Sequence, residues 1–161
     1  TVSLLTAGRF DLGVGQGYWQ PEFEAFGRSL RHRPSLLEEG IALIRQAWDG
    51  DCVEFRGSRF DFPALPVTPQ PERTPQVLVG AMADPAIDRA ARIADGFLST
   101  QNAHHETYLD ALERHGRPRD AGRIYAGQWA VIADDPVTLD PAEIEANRDI
   151  WTDRWLEIVL G

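Results

Sequence analysis

The sequence contains no lysine: all sixteen of its basic residues are arginines. That absence excludes a Schiff-base lysine for pyridoxal phosphate, a lysine aldolase nucleophile and a Walker-type phosphate-binding lysine. Cysteine is almost as scarce. Cys52 stands alone, so neither an intramolecular disulfide nor a cysteine-rich zinc or iron–sulfur cluster can form within one chain. A reducing, cytoplasmic setting is the expectation. The opening residues carry no basic stretch, apolar core and cleavage motif of an export signal. No apolar run approaches the roughly eighteen residues of a membrane helix, so no membrane partner is expected. Positive charge is in deficit as well, with 25 acidic residues and a formal net charge of −9. Such a field repels nucleic acid at long range, which leaves a small organic molecule as the expected partner.

What is present is an ordinary globular composition, 43% hydrophobic and 25% charged over 161 residues. A chain of this length buries roughly 70% of its unfolded surface, so residues 1–161 are read as a single domain. Arg9 to Gly15 is a short apolar run closing in glycines, which suits a buried strand entering a tight loop. Pro21 to Phe26 predicts a short helix stopped by Gly27. A longer helix follows, with Ser35 and Glu38 as a capping box, Leu37, Ile41, Ile44 and Trp48 at helical spacing, and Gly50 as its end. Val53–Arg56 and Arg59–Phe62 alternate apolar with polar residues around Gly57-Ser58, which predicts a hairpin with a type II′ turn. Five prolines between Pro63 and Pro75 predict an extended connection.

Gln76–Gly80 then reads as a strand, with Asp84 as N-cap and Pro85 at the first position of a helix that reaches Ala94 and stops at Gly96. Phe97–Thr100 reads as a strand. A helix from about His104 to His115 sets Tyr108, Leu109 and Leu112 on one face and ends at Gly116. Ile124–Ala133 supplies another strand, and Asp140-Pro141-Ala142-Glu143 starts a last helix carrying Ile144, Trp151, Trp155 and Ile158. Strands each followed by a helix imply parallel pairing, right-handed crossovers and cover on both sheet faces, so the fold class is α/β. The rhythm alone leaves a doubly wound open sheet and a (βα)-barrel both open.

Three segments together resemble the luciferase-like monooxygenase family. They are Gly8-Arg9-Phe10-Asp11-Leu12-Gly13-Val14-Gly15-Gln16-Gly17-Tyr18-Trp19 with Glu22–Gly27, Val53–Phe60, and Pro75–Gly80 with Pro85-Ala86, Arg89–Arg92 and Ala94–Phe97. The likeness covers about Ser3 to Thr100 and thereafter only the βα rhythm. It implies a partial (βα)8 TIM-type barrel of the bacterial luciferase-like kind, about four βα units plus an inserted hairpin. In the family three strands precede the Gly-Arg-Phe segment and carry much of the isoalloxazine floor and the usual catalytic polar groups. Those strands are expected to be missing here, and no catalytic residue is assigned. The resemblance implies FMN or the deazaflavin coenzyme F420 at the strands' C-terminal ends, and hydride transfer or monooxygenation of a small organic substrate. The alternative is a catalytically silent barrel fragment whose unpaired sheet edges serve interaction or dimerisation, and a homo-oligomer is expected.

The candidate cofactor-binding residues are Gly13, Gly15, Gly80, Ala81 and Met82. Glycines at a strand end let a flat ring approach the backbone, although a tight turn needing glycine dihedrals explains Gly13-Val14-Gly15-Gln16-Gly17 equally well. The spacing of that run departs from a dinucleotide fingerprint, and no capped helix follows it at once. Gly80 to Asp84 joins a strand to a helix N-terminus, where free N–H groups favour an anion. The resemblance gives the phosphate role to Gly80, Ala81 and Met82 through their backbone. Asp84 would compete for the same donors, and an ordinary capped helix remains open. His104 and His105 are read as surface or helix-start residues, with no third ligand at zinc spacing. Trp151 and Trp155 are read as packing, and Arg9 either neutralises a phosphate or pairs a carboxylate.

Overall fold

The computed structural model describes residues 2–127. In chain order these form α1 (Val2–Leu5), β1 (Leu12–Gly15), α2 (Gln20–Ala25), α3 (Arg33–Asp49), β2 (Cys52–Arg56), β3 (Asp61–Pro66), β4 (Val77–Gly80), α4 (Asp84–Ile93), β5 (Gly96–Ser99), α5 (Asn102–Arg114) and β6 (Arg123–Ala126). The expected last helix with Trp151 and Trp155, and the strand expected to run on to Ala133 beyond the first described residues of β6, lie outside this range.

β1, β4, β5 and β6 make one parallel sheet in that order, while β2 and β3 make a separate antiparallel pair. These four described strands follow one another without reversal, as barrel strands do, whereas a complete doubly wound sheet reverses its order at a switch point.

Register assigns the two faces. Val14, Val79, Phe97 and Ile124 fall in one row across the sheet, and this row meets the helices. Ile41 of α3, Ile87, Ala90 and Ala91 of α4, and Tyr108, Ala111 and Leu112 of α5 close the core over it. The rings of Phe97 and Tyr108 stack with centroids 4.7 Å apart. Small alanines on α4 and α5 let the two helices approach, which is the reason for the Ala-Ala pair at 90 and 91. Among the described residues α3, α4 and α5 share one face of the sheet, as helices outside a barrel do. The other face carries Gly13, Leu78, Gly96 and Arg123 in one row and Gly15, Gly80, Leu98 and Tyr125 in the next. In a barrel that face is the interior.

Polar ties fix the helices to the sheet. Asp95 Oδ2 accepts hydrogen bonds from the Val77 amide (2.8 Å) and from Arg45 of α3 (2.9 Å), and Arg45 also donates to the Ile93 carbonyl (2.8 Å). Glu38 accepts from Arg89 and Arg92 of α4, each at 2.7 Å. Partial burial would raise the Glu38 pKa, but the hydrogen bonds from Arg92 and Arg89 outweigh it and hold the carboxyl below its ordinary value.

Several local expectations change. α3 begins two residues before Ser35, so Ser35 is no N-cap; its hydroxyl donates to the His32 carbonyl (3.0 Å). Ala83, with extended backbone, caps α4, and Asp84 is the first helical residue with no side-chain cap bond. α4 ends at Ile93, and Gly96 opens β5 instead of stopping the helix. Gly27 (φ 62°) and Gly116 (φ 70°) end α2 and α5 as expected. β3 continues through Pro63 to Pro66, which a two-stranded sheet tolerates because a proline can sit on an outward-facing edge. α1 was not foreseen, since a four-residue helix leaves no periodic signal.

The hairpin is confirmed, but its turn is not type II′. Glu39 of α3 reaches into the turn and accepts hydrogen bonds from the Ser58 hydroxyl (2.5 Å) and from the amides of Ser58 (3.1 Å), Arg59 (2.7 Å) and Phe60 (3.2 Å). Gly57 is required for space: a Cβ there would collide with the Glu39 carboxylate and the Phe55 ring. The Ser58 hydroxyl, opposed by desolvation and reinforced by the three amides, lowers the Glu39 pKa from the ordinary 4.5 to about 2. A depressed carboxyl stabilises the folded state fully above its unfolded pKa, and that contribution fades as pH falls through the folded one. NMR shifts of the Ser58, Arg59 and Phe60 amides should therefore move together with a midpoint at about 2 rather than 4.5, and Glu39→Gln should abolish the transition.

Candidate functional site

The four parallel strands of the described sheet all end on the same side, and their last residues surround a cleft of about 840 Å³. Its floor is Gly15 of β1 beside Gly80 of β4, which are register partners. Neither has a side chain to raise the floor. A Cβ at Gly80 would lie 3.7 Å from the Val14 carbonyl oxygen and 3.8 Å from Leu98 Cβ, ordinary contact distances, so additional side-chain atoms would extend into the cleft. Leu98 and Tyr125 wall it from β5 and β6, Tyr18 from the loop after β1, and Met82 from the loop after β4. Tyr18 and Met82 are 85% and 69% exposed, so the mouth is apolar and open.

The structure thus brings Gly15, Gly80, Ala81 and Met82 into one cleft. Gly13 lies one row deeper in the sheet and does not line it; a Cβ there would meet Leu98 Cδ1 at 3.2 Å. Asp84 does not line the cleft either, so its carboxylate is not part of the cleft wall. The amides of Met82 and Ala83 donate to no backbone carbonyl of the described residues and precede the first turn of α4. His104 Nδ1 is 3.2 Å from the hydroxyl of Ser99, which does line the cleft, so the histidine stands behind the wall in the first turn of α5. His105 does not line it. Arg9 donates to the Thr6 carbonyl (3.1 Å) and takes no part in the cleft. No group of three potential metal ligands occurs among the described residues.

Sequence reasoning did not single out Arg33, Gln16, Tyr18, Ser99, Thr100 or Tyr125, all of which line the cleft. Ser99, Thr100 and Tyr125 follow from the rule that sites form at the C-terminal ends of parallel strands. Arg33 is the only charged residue among the described lining residues.

A flat, anionic and largely apolar cofactor fits these residues: among the described residues the floor is backbone, the walls are apolar, and the lining holds one cation and no carboxylate. The family model for luciferase-like monooxygenases matches residues 1–154. The chain belongs to that family. Among its relatives, an uncharacterised protein of Mycobacterium tuberculosis is 35% identical over 142 residues, covering 87% of this chain and 48% of the relative. The F420-dependent glucose-6-phosphate dehydrogenase of Amycolatopsis mediterranei is 35% identical over 115 residues, 70% of this chain and 34% of its own length. The FMNH2-dependent dimethylsulfone monooxygenase of Pseudomonas fluorescens is 32% identical over 106 residues, 64% of this chain and 29% of its own. Luciferase-like family members thus use F420 or FMNH2.

A solved F420-dependent secondary alcohol dehydrogenase in complex with an F420-acetone adduct superposes with a TM-score of 0.67 at 18% identity, over 77% of this chain and 41% of that one. That likeness carries the fold. The part of a luciferase-like TIM barrel expected from the sequence is thereby shown, and the chain spans about half or less of the length of these relatives. No described helix is long and apolar enough to cross a membrane.

Proposed function

We propose that this chain contributes the cofactor-holding part of an F420- or FMN-dependent oxidoreductase acting on a small organic substrate by hydride transfer or monooxygenation. One observation carries the reading. Gly15 and Gly80 lie side by side at the C-terminal ends of neighbouring parallel strands, under apolar walls, with a single cation and no carboxylate among the described lining residues. When bound, a flavin or deazaflavin supplies the hydride or, for a reduced flavin, the electrons for oxygen chemistry. The chain's own part is to seat the ring on bare backbone, to exclude water with Leu98, Tyr125 and Met82, and to offer backbone N–H donors at Met82 and Ala83 to an anionic group. Titration of the purified protein with FMN and with F420, followed by cofactor fluorescence, tests the reading. Saturable binding of either supports it, and binding of neither sinks it.

A second reading, a catalytically silent interaction or dimerisation module, is favoured by the exposure of Gly13 and Gly15 on β1, an edge strand of the described sheet. It expects a concentration-dependent oligomer by light scattering together with no cofactor binding.

A further inference from the structure

We infer that the surface running from the loop after β1 to the first turn of α3 is a peripheral docking site for an anionic lipid bilayer, an inference independent of the cofactor reading above. Three aromatic side chains of this stretch are exposed: Tyr18, Trp19 (57%) and Phe26 (80%). The chain then runs through Arg28, Arg31 and Arg33 with no carboxylate between Gly27 and Ser35. These parts form one surface. Arg33 Nη1 donates to the carbonyl of Gly17 (3.3 Å), the residue before Tyr18, and a Cβ at Gly17 would stand 3.0 Å from the Phe23 ring of α2. Gly27 turns the chain back with φ 62°, and the Arg28 amide donates to the Phe23 carbonyl (2.7 Å). Arg59 joins from the hairpin turn, because its Nε donates to Ser35 Oγ at 2.8 Å.

No carboxylate of the described residues lies within 4.0 Å of Arg28, Arg31, Arg33 or Arg59, whereas seven other arginines each hold at least one. The carboxylates between Tyr18 and Arg33, those of Glu22 and Glu24, belong to α2, and Glu24 is held by Gln20 (2.6 Å). In a chain of net charge −9, four guanidinium groups without a carboxylate are a local reversal of field. Arginines alone would suit any polyanion. Exposed tyrosine, tryptophan and phenylalanine beside them add apolar bodies that water solvates poorly, and this pairing is the composition of a contact lying in the headgroup layer. The negative remainder of the chain is repelled by the same lipid surface, which turns the patch toward it. The expectation of no membrane partner came from the lack of a spanning helix. No described helix is long and apolar enough to span, and a peripheral contact needs none.

The experiment is flotation of the purified chain with vesicles of phosphatidylcholine alone and of phosphatidylcholine mixed with phosphatidylglycerol. The chain should bind the mixed vesicles, and high salt should release it. Tyr18 and Arg33 also line the cleft, so the variants use Trp19, Phe26, Arg28 and Arg31, which do not. Arg28→Gln and Arg31→Gln should each weaken binding by about fivefold. Arg28→Lys and Arg31→Lys should retain it, because a bilayer reads charge rather than a planar fork. Trp19→Ser and Phe26→Ser should each weaken binding by about tenfold. No binding to the mixed vesicles, equal binding to both compositions, or full binding by the Arg28→Gln, Arg31→Gln double variant would overturn the inference. So would tighter binding to a single-stranded oligonucleotide or to polyglutamate than to the mixed vesicles, which would assign the patch to a nucleic acid or an acidic protein. Circular dichroism of each variant establishes folding, and the lysine variants supply the comparison if a glutamine variant does not fold.

Discussion

Gly80→Leu should weaken FMN or F420 binding by roughly 100-fold or more, about 2.7 kcal/mol, with little change in the stability of the chain. Gly80 is the last residue of β4, in register with Gly15 on one side and Leu98 on the other. The contacts around its missing Cβ are no closer than 3.7 Å, so the first carbon of a side chain is accommodated without strain. Further carbons extend toward the cleft that Gly80 lines, since the Val14 and Leu98 carbonyls and Leu98 Cβ flank the first one. An isobutyl group standing on the floor would hold a planar ring off the backbone and forfeit contact over its whole face. Gly80→Ala serves as the graded control, with a smaller loss. The expected result is selective: fluorescence titration shows the loss while thermal unfolding stays near the wild type. Unchanged affinity for both cofactors in Gly80→Leu would remove this floor from the site.

The parallel sheet was legible because its strands are short apolar runs bounded by glycine and proline, and because Tyr108 and Leu112 repeat at helical spacing and both prove fully buried. The strand-end glycines Gly15 and Gly80 were legible for the same reason, since punctuation marks strand ends and strand ends form the site. Long-range carboxylate contacts left no such trace. Glu39 looked like one more exposed charge of a helix, yet it organises a turn nineteen to twenty-one residues away. Gly57 therefore suggested a backbone dihedral when its role is room for that carboxylate. Arg33 sits in a run with Arg31 and His32, and nothing local distinguishes it. Only the return of α3 to the end of β1 sets it apart, and that is a property of topology. Gly13 and Gly15 looked equivalent in sequence, because the two-residue period puts both on one sheet face; depth along the strand separates them.

Gly96→Ala should destabilise the chain by roughly 3 kcal/mol, at the upper end of what one added carbon costs in a tight core. A Cβ at Gly96 would stand 2.7 Å from the Arg123 carbonyl oxygen and 2.7 Å from Leu78 Cδ2. These two obstacles differ in kind. Leu78 is a side chain that another rotamer or a truncation can withdraw, whereas the Arg123 carbonyl belongs to β6, which is paired to β5 at this very position. Moving that oxygen means spreading the two strands at Gly96 and disturbing the register that places Leu98 beside Tyr125 one row nearer the cleft. Leu78→Ala in the Gly96→Ala background should therefore relieve only part of the clash. The double variant is expected to stay well below the wild type in urea unfolding, below the level that Leu78→Ala alone would set. Because β5 and β6 form the Leu98–Tyr125 wall, cofactor affinity should fall in step with stability, unlike the selective loss in Gly80→Leu. Wild-type unfolding midpoints for Gly96→Ala would show that β5 and β6 do not approach this closely.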